Sequence, residues 1–171
     1  VDGVISYTTG MITNTFTGPQ TGTTASPNAI INVAADIDVV IDGKWTVNNN
    51  SPGGQVRFIS YNPYDVGASA TTRTFEFRGE LILNNQGVQP LTGIEHQLLT
   101  YYPAGTASAT SIFRNTGIIT LNSGSFIVGI NVDSEQTQFI QRARTINAGD
   151  IIIKGTQNIG IDFGQYYTPL N

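Results

Sequence analysis

His96 is the only histidine in the 171-residue chain, and the chain has no cysteine. Any nucleophilic triad or zinc site would have to run through that one imidazole. His96 closes the segment Gly93-Ile94-Glu95-His96 and aligns with Val132 and Phe163 in two later segments of similar form. That alignment suits a packed structural histidine better than a catalytic one. The 12 acidic residues form few groups. In Asp36-Ile37-Asp38 the two carboxylates share one face of an extended strand, because side chains alternate faces with a period of two. Such a pair could serve a hard cation, but calcium takes about six to eight oxygens. A solvated strand face is the simpler reading. Asp133-Ser134-Glu135 reads as a polar corner. Glycoside hydrolysis generally needs two carboxylates flanking one bond. The sequence has no Asp-Asp pair and no base set beside the acids as lyase chemistry wants. It therefore assigns no catalytic, cofactor-binding or metal-binding residue and implies no cofactor.

Two short motifs dissolve on inspection. Arg78-Gly79-Glu80 resembles an integrin-type tripeptide, yet Gly79 is explained by the repeat described below. Asn49-Asn50-Ser51 fits a glycosylation sequon and reads as a polar turn. The tyrosines are different. Tyr61, Tyr64, Tyr101, Tyr102, Tyr166 and Tyr167 stand in polar stretches where no repeat demands them. Tyrosine offers large contact area at low entropic cost. Tyr61, Tyr64, Tyr101 and Tyr102 are the candidate partner-binding residues.

The elements that would carry these residues follow from composition and repetition. Only 12% of residues are charged while 39% are hydrophobic, enough apolar content to bury a core and exclude wholesale disorder. The remainder is rich in Thr, Asn, Ser and Gly, which suits strands separated by polar turns. Net charge is −4 and no Lys/Arg run could track a phosphate backbone, which argues against nucleic acid. No apolar run reaches the ~18 residues of a membrane span. The absence of cysteine excludes a disulfide framework and suits export through an oxidising compartment.

One pattern recurs four times: Asp42-Gly43-Lys44-Trp45-Thr46-Val47-Asn48, Arg78-Gly79-Glu80-Leu81-Ile82-Leu83-Asn84, Thr116-Gly117-Ile118-Ile119-Thr120-Leu121-Asn122 and Ala148-Gly149-Asp150-Ile151-Ile152-Ile153-Lys154. Its glycines lie 36, 38 and 32 residues apart. A fainter copy is expected at Gly3, followed by Val4-Ile5-Ser6-Tyr7. Period two sends Trp45, Leu81, Ile119 and Ile151 inward as one column, with Val47, Leu83, Leu121 and Ile153 as a second. Glycine is expected to supply the backbone angles of a corner. Asn48, Asn84 and Asn122 are placed to stack as a hydrogen-bonded ladder, which Lys154 interrupts. A second strand follows each copy, at Gln55-Val56-Arg57-Phe58, Gly93-Ile94-Glu95-His96, Gly129-Ile130-Asn131-Val132 and Gly160-Ile161-Asp162-Phe163. A third precedes each glycine, as in Val39-Val40-Ile41 and Phe75-Glu76-Phe77. Three short strands per repeat describe one turn of a triangular solenoid whose turns bury their inner faces against each other. Residues 61–73, 99–109 and 134–144 are the surplus, read as long loops on one side. An antiparallel sandwich also has many short strands but would not require the same columns at near-constant spacing.

The phrases Asn115-Thr116-Gly117-Ile118-Ile119-Thr120-Leu121-Asn122-Ser123-Gly124 and Asn158-Ile159-Gly160-Ile161-Asp162 resemble the passenger domains of bacterial autotransporters, especially large fusobacterial-type adhesins. The likeness covers residues 36–163. It implies an all-β, right-handed parallel β-helix of about four to five coils with long insertions, forming a single segment over residues 1–171 excised from a longer passenger. It further implies display on, or release from, the outer membrane of a Gram-negative cell, with tethering through a C-terminal barrel absent from this chain. The chain itself would not span the membrane. Partners would be host-cell or bacterial surface proteins or glycans. Residues 1–28 are expected to include an N-terminal cap, with residues 8–28 shielding that end, and residues 159–167 to lead into further coils. The resulting expectation is a non-enzymatic adhesion module, with a carbohydrate-active enzyme on the same scaffold as the alternative and a trimeric viral tail fibre as a third possibility.

Overall fold

The computed structural model describes residues 4–16, 29–34, 38–49, 56–62, 72–97, 110–124, 126–133 and 142–163. These residues are all-β, with no helix. Their strands are β1 (Val4–Phe16), β2 (Ala29–Ala34), β3 (Asp38–Asn49), β4 (Val56–Asn62), β5 (Thr72–Phe77), β6 (Glu80–Asn85), β7 (Leu91–Gln97), β8 (Thr110–Asn115), β9 (Ile118–Gly124), β10 (Ile127–Asp133), β11 (Arg142–Asn147), β12 (Asp150–Ile153) and β13 (Ile159–Phe163). Every strand pairing among them is parallel.

The pairing follows the sequence repeat. Along its length β3 belongs to two stacks. Residues 39–41 pair with 75–77 of β5, and residues 44–49 pair with 80–85 of β6. The eight-stranded sheet therefore runs β11-β8-β5-β3 on one side of the corner and β3-β6-β9-β12 on the other, with β1 laid along β3. The second sheet runs β13-β10-β7-β4-β2. The chain visits these stacks in the same order in each repeat, so each strand lands on its counterpart from the repeat before. A tight hairpin cannot make that connection, since parallel neighbours require a long return path.

The two apolar columns are in register. Trp45 pairs with Leu81, Leu81 with Ile119, and Ile119 with Ile151. Val47, Leu83, Leu121 and Ile153 do the same. Trp45, Val47, Leu81, Leu83, Ile119 and Leu121 are all buried. Burial of each such side chain contributes about 1.5–3 kcal/mol. The ring of Trp45 lies 5.3 Å from Phe58, and Phe75 stacks on Phe113 at 5.3 Å. Aromatic contacts thus run across the core within one repeat and along a stack between repeats.

The glycines work differently from the expectation. Only Gly43 among the four repeat glycines has a left-handed backbone, with φ of 92°. At Gly79, Gly117 and Gly149 the constraint is close approach. A Cβ there would strike the carbonyl oxygen of Gly43, Gly79 and Gly117, respectively. The corners are hydrogen-bonded from repeat to repeat, with Ile118 N–H donating to Gly79 O at 2.9 Å and Asp150 N–H to Gly117 O at 3.0 Å. A side chain would separate these backbones.

The faint first copy also sits elsewhere. Residues 4–7 pair with 38–41, so they form the strand before the corner, not the one after it. The corner falls at the register shift between Thr9 and Met11, and Ile12 takes the position of Trp45. Val-Ile-Ser-Tyr has a period that fits either strand, and only the pairing distinguishes them. Within residues 1–28, where a cap was expected, residues 4–16 form β1 and pair with β3 along its length. Residues 17–28 lie outside the described residues. The first expected loop begins later than Tyr61, because β4 continues to Asn62. Likewise β11 starts at Arg142, inside the third expected loop, and residues 98–109 and 134–141 lie outside the described residues.

Candidate functional surface

Tyr61 is not part of an accessible surface. It is the sixth residue of β4 and is completely buried. Its ring stacks on His96 at 5.3 Å with an interplanar angle of 21°, and tilts against Phe75 at the same distance. The polar residues around it suggested a loop, but β4 pairs Tyr61 with His96 of β7, and that register puts both rings in the core. Tyr64, Tyr101, Tyr102, Tyr166 and Tyr167 lie outside the described residues.

His96 is packed among aromatic rings. Phe113 meets it edge-on at 6.1 Å, and its Nδ1 lies 3.1 Å from Thr145 Oγ1. Burial pushes its pKa down to about 3, because the charged imidazolium would lose its hydration there. The ring is therefore neutral at physiological pH and links β7 to β11 by way of Thr145.

A second buried polar group lies one residue away. Glu95 is 1% exposed, and Arg57 Nε donates to its Oε1 at 2.6 Å. Ser60 Oγ and Asn131 Nδ2 make longer contacts of 3.4 Å to the same carboxylate. Ser60, Glu95, Asn131 and Asp162 occupy one register position across β4, β7, β10 and β13. The sequence reading passed over this group. Its signal was a charge inside an otherwise apolar strand, with a complementary charge on the strand one repeat earlier.

A groove of about 520 Å³ runs along the glycine corners, lined by Asp42, Lys44, Arg78, Glu80, Thr116 and Ile118. Charges alternate across its first two repeats. Lys44 Nζ meets Glu80 Oε2 at 3.0 Å, and Arg78 donates to Glu76 Oε2 at 2.7 Å. Glu76 also accepts from Thr116 Oγ1 at 3.2 Å, and the hydrogen bond from Arg78 is the main cause of its lowered pKa. Asp42 caps the corner by accepting from Gly43 N–H at 2.7 Å. Its carbonyl takes the Trp45 indole N–H at 2.8 Å. Of these contacts, Lys44–Glu80 and Thr116–Glu76 join neighbouring repeats, while the others lie within one repeat. The next repeat supplies the neutral Thr116 and Ile118.

The expected asparagine ladder is present. Asn84 Nδ2 donates to Asn48 Oδ1 at 2.8 Å, and Asn122 Nδ2 donates to Asn84 Oδ1 at 3.0 Å. Two further links were not anticipated: Asn49 to Asn85 at 2.9 Å, where both residues are buried, and Asn115 to Asn147 at 2.7 Å. The first removes the sequon reading of Asn49, whose amide is consumed inside the stack. The Arg-Gly-Glu tripeptide is likewise engaged, through the ion pairs of Arg78 and Glu80 and the enclosed Gly79. Asp38 Oδ1 accepts the backbone N–H of Thr74 at 2.7 Å, so it holds β5 in place. Asp36 lies outside the described residues. Among the described residues, no three His, Asp or Glu side chains gather as metal ligands.

Comparison with protein-family models, curated proteins and solved structures finds no match to this chain.

Proposed function

We propose that the three parallel stacks wind as one right-handed β-helix, and that the chain is a non-enzymatic passenger module of a bacterial surface protein. It would act in adhesion, as a stalk and a binding surface at the cell surface or after release. The observation that carries this reading is the register from repeat to repeat, in which the two apolar columns align residue for residue through four copies. Such a scaffold extends by adding repeats, as a stalk must. The right hand follows from the strong preference of parallel crossovers for that sense. The resemblance described above supports export to the outer membrane of a Gram-negative cell, with a C-terminal barrel beyond this chain as the tether.

The partner would be a host-cell or bacterial surface protein or glycan. Tyr64, Tyr101 and Tyr102 remain the proposed contacts, since loops set on a rigid scaffold commonly carry recognition. Labelled chain is expected to bind host epithelial or bacterial cells saturably. Replacing these three tyrosines by Ser should weaken binding without moving the melting temperature. Absence of saturable binding to either cell type overturns the adhesive role. New reducing ends released from a panel of polysaccharides would favour the carbohydrate-active alternative instead.

A further inference from the structure

We propose that the outer face of the stack β5-β8-β11 binds a sulfated polysaccharide along a diagonal row formed by Arg78, Arg114 and Arg144. This deepens the adhesive reading above by naming the class of surface glycan.

The row exists in no single stretch of sequence and is assembled by the repeat. Residues 72–78, 110–116 and 142–148 hold five of the chain's eight Lys and Arg, but only Glu76 of its twelve acids. A chain of net charge −4 therefore concentrates its cations on one stack and leaves the rest acidic. Period two separates the faces of that stack. Phe75, Phe77 and Phe113 are buried, and Thr145 meets the buried His96. Their neighbours Glu76, Arg78, Arg114 and Arg144 therefore lie on the outer face, and the three arginines are exposed. β8 has β5 on one side and β11 on the other, so the exposure of Arg114 comes from the face and not from an end of the stack.

The registers set the spacing. Arg114 pairs with Glu76, two residues before Arg78, and Arg144 pairs with Ile112, two residues before Arg114. Each step along the row crosses one strand and moves two residues. With strands ~4.8 Å apart and two residues spanning ~6.6 Å, successive Cα atoms lie roughly 8 Å apart. Glu76 accepts from one nitrogen of Arg78 at 2.7 Å, which leaves most of that guanidinium's donors for a ligand. Among the described residues, Arg114 and Arg144 close no ion pair. Arg78 also lines the groove at the glycine corners, so the row leads out of that groove.

A guanidinium fork matches two oxygens of one anionic group and holds them better than an ammonium does. A sulfated polysaccharide carries such groups at intervals along a chain, so it can meet all three forks on one rigid sheet. The outer-face neighbours Thr74, Ile112 and Ile146 offer no aromatic ring on which a nucleobase could stack, which favours the glycan over nucleic acid.

The test is binding of the whole chain to immobilised heparin, the sulfated probe, with dextran as the uncharged control and duplex DNA as a second polyanion. Wild type is expected to bind heparin and not dextran, and to be released by salt, because each guanidinium replaces counterions on the polymer. Arg114→Gln and Arg144→Gln should each weaken binding about tenfold through loss of one charge-assisted contact, with the far-UV circular dichroism unchanged. Lys154→Gln removes the same charge away from the row and should weaken binding less than about twofold, since salt screens distant charges. Absence of heparin binding by wild type, equal losses in Lys154→Gln and Arg114→Gln, or duplex DNA bound as tightly as heparin overturns the proposal. If wild type then still binds cells saturably, the adhesive reading stands and only its sulfated ligand falls.

Discussion

Leu121 and Ile153 pair with each other in the same column, one layer apart, yet Leu121 is wholly buried and Ile153 is about half exposed. The glycines of the second sheet differ in the same way. A Cβ on Gly129 would come within 2.7 Å of the carbonyl oxygen of Gly160, whereas one on Gly160 meets nothing closer than the Ile151 side chain at 3.4 Å. Period two decides which way a side chain faces. Burial in a stack requires a neighbour on both sides, and the layer of β12 and β13 has one among the described residues. Identical residue types in identical register therefore carry unequal energetic weight.

The sharpest way to break this comparison is truncation in the column. Leu83→Ala or Leu121→Ala should cost about 2–5 kcal/mol, as for buried leucines in general. Ile153→Ala, at the same register position, should cost less than about 1.5 kcal/mol because half its surface is already wet. Urea denaturation of the three variants decides it. Equal losses would show that something covers the last layer.

Acid should separate the two regions next. His96 sits deep in the stack, and burial holds its pKa at about 3 against an ordinary 6.5. Between those values the unfolded chain binds the proton and the folded chain does not. Stability present above pH 6.5 should fall as pH drops toward 3, by an amount on the order of a few kcal/mol. His96→Val, which installs the residue of the next layer in that column, should flatten the slope above pH 5. Glu76 works lower in the range. Its pKa is below the ordinary 4.5, chiefly through the Arg78 hydrogen bond, so its contribution is lost only as pH falls through that lowered value. An unchanged slope in His96→Val between pH 6.5 and 5 would remove histidine as the cause.

The glycine pair gives a smaller contrast. Gly129→Ala must push two backbones apart and should cost about 1–3 kcal/mol. Gly160→Ala enters ordinary contact distance and should be close to neutral. Thermal melts that rank the two the other way would contradict the stacking.

What could be read from the sequence was whatever repeats at fixed spacing. Trp45 through Asn48 and their later copies revealed their pairing because each residue recurs where a parallel neighbour needs it. What could not be read depended on distances between repeats. Tyr61 looked like a loop residue because its chain neighbours Ser60 and Asn62 are polar, yet its surroundings in space are His96 and Phe75. Arg57 and Glu95 gave no sign of their pairing because nothing local couples them; they meet only once β4 lies beside β7. The repeat glycines were visible, but their reason was misread. At Gly79 and Gly117 it is the chain one layer away, not the local backbone angle, that excludes a side chain.

The smallest expected effect lies in the asparagine ladder, where the comparison can be made within one chain of hydrogen bonds. Asn84 is the middle member, donating to Asn48 and accepting from Asn122, whereas Asn122 stands at the end of the ladder as donor to Asn84. A net hydrogen bond is worth about 0.5–1.5 kcal/mol, and partial exposure favours the lower end. Asn84→Ala should therefore cost about twice as much as Asn122→Ala, and the double variant should cost less than the sum because the two share a bond. Lys154 sits where the next member would stand, and its backbone N–H already donates to Leu121 O at 2.9 Å. Lys154→Asn should extend the ladder by one bond and raise stability by a few tenths of a kcal/mol, near the low end of that range. If Lys154→Asn gains nothing while Asn84→Ala still costs double, the ladder depends on layers on both sides, as the apolar columns do. If Asn84→Ala costs no more than Asn122→Ala, the asparagines act singly and the ladder adds nothing beyond its separate turns.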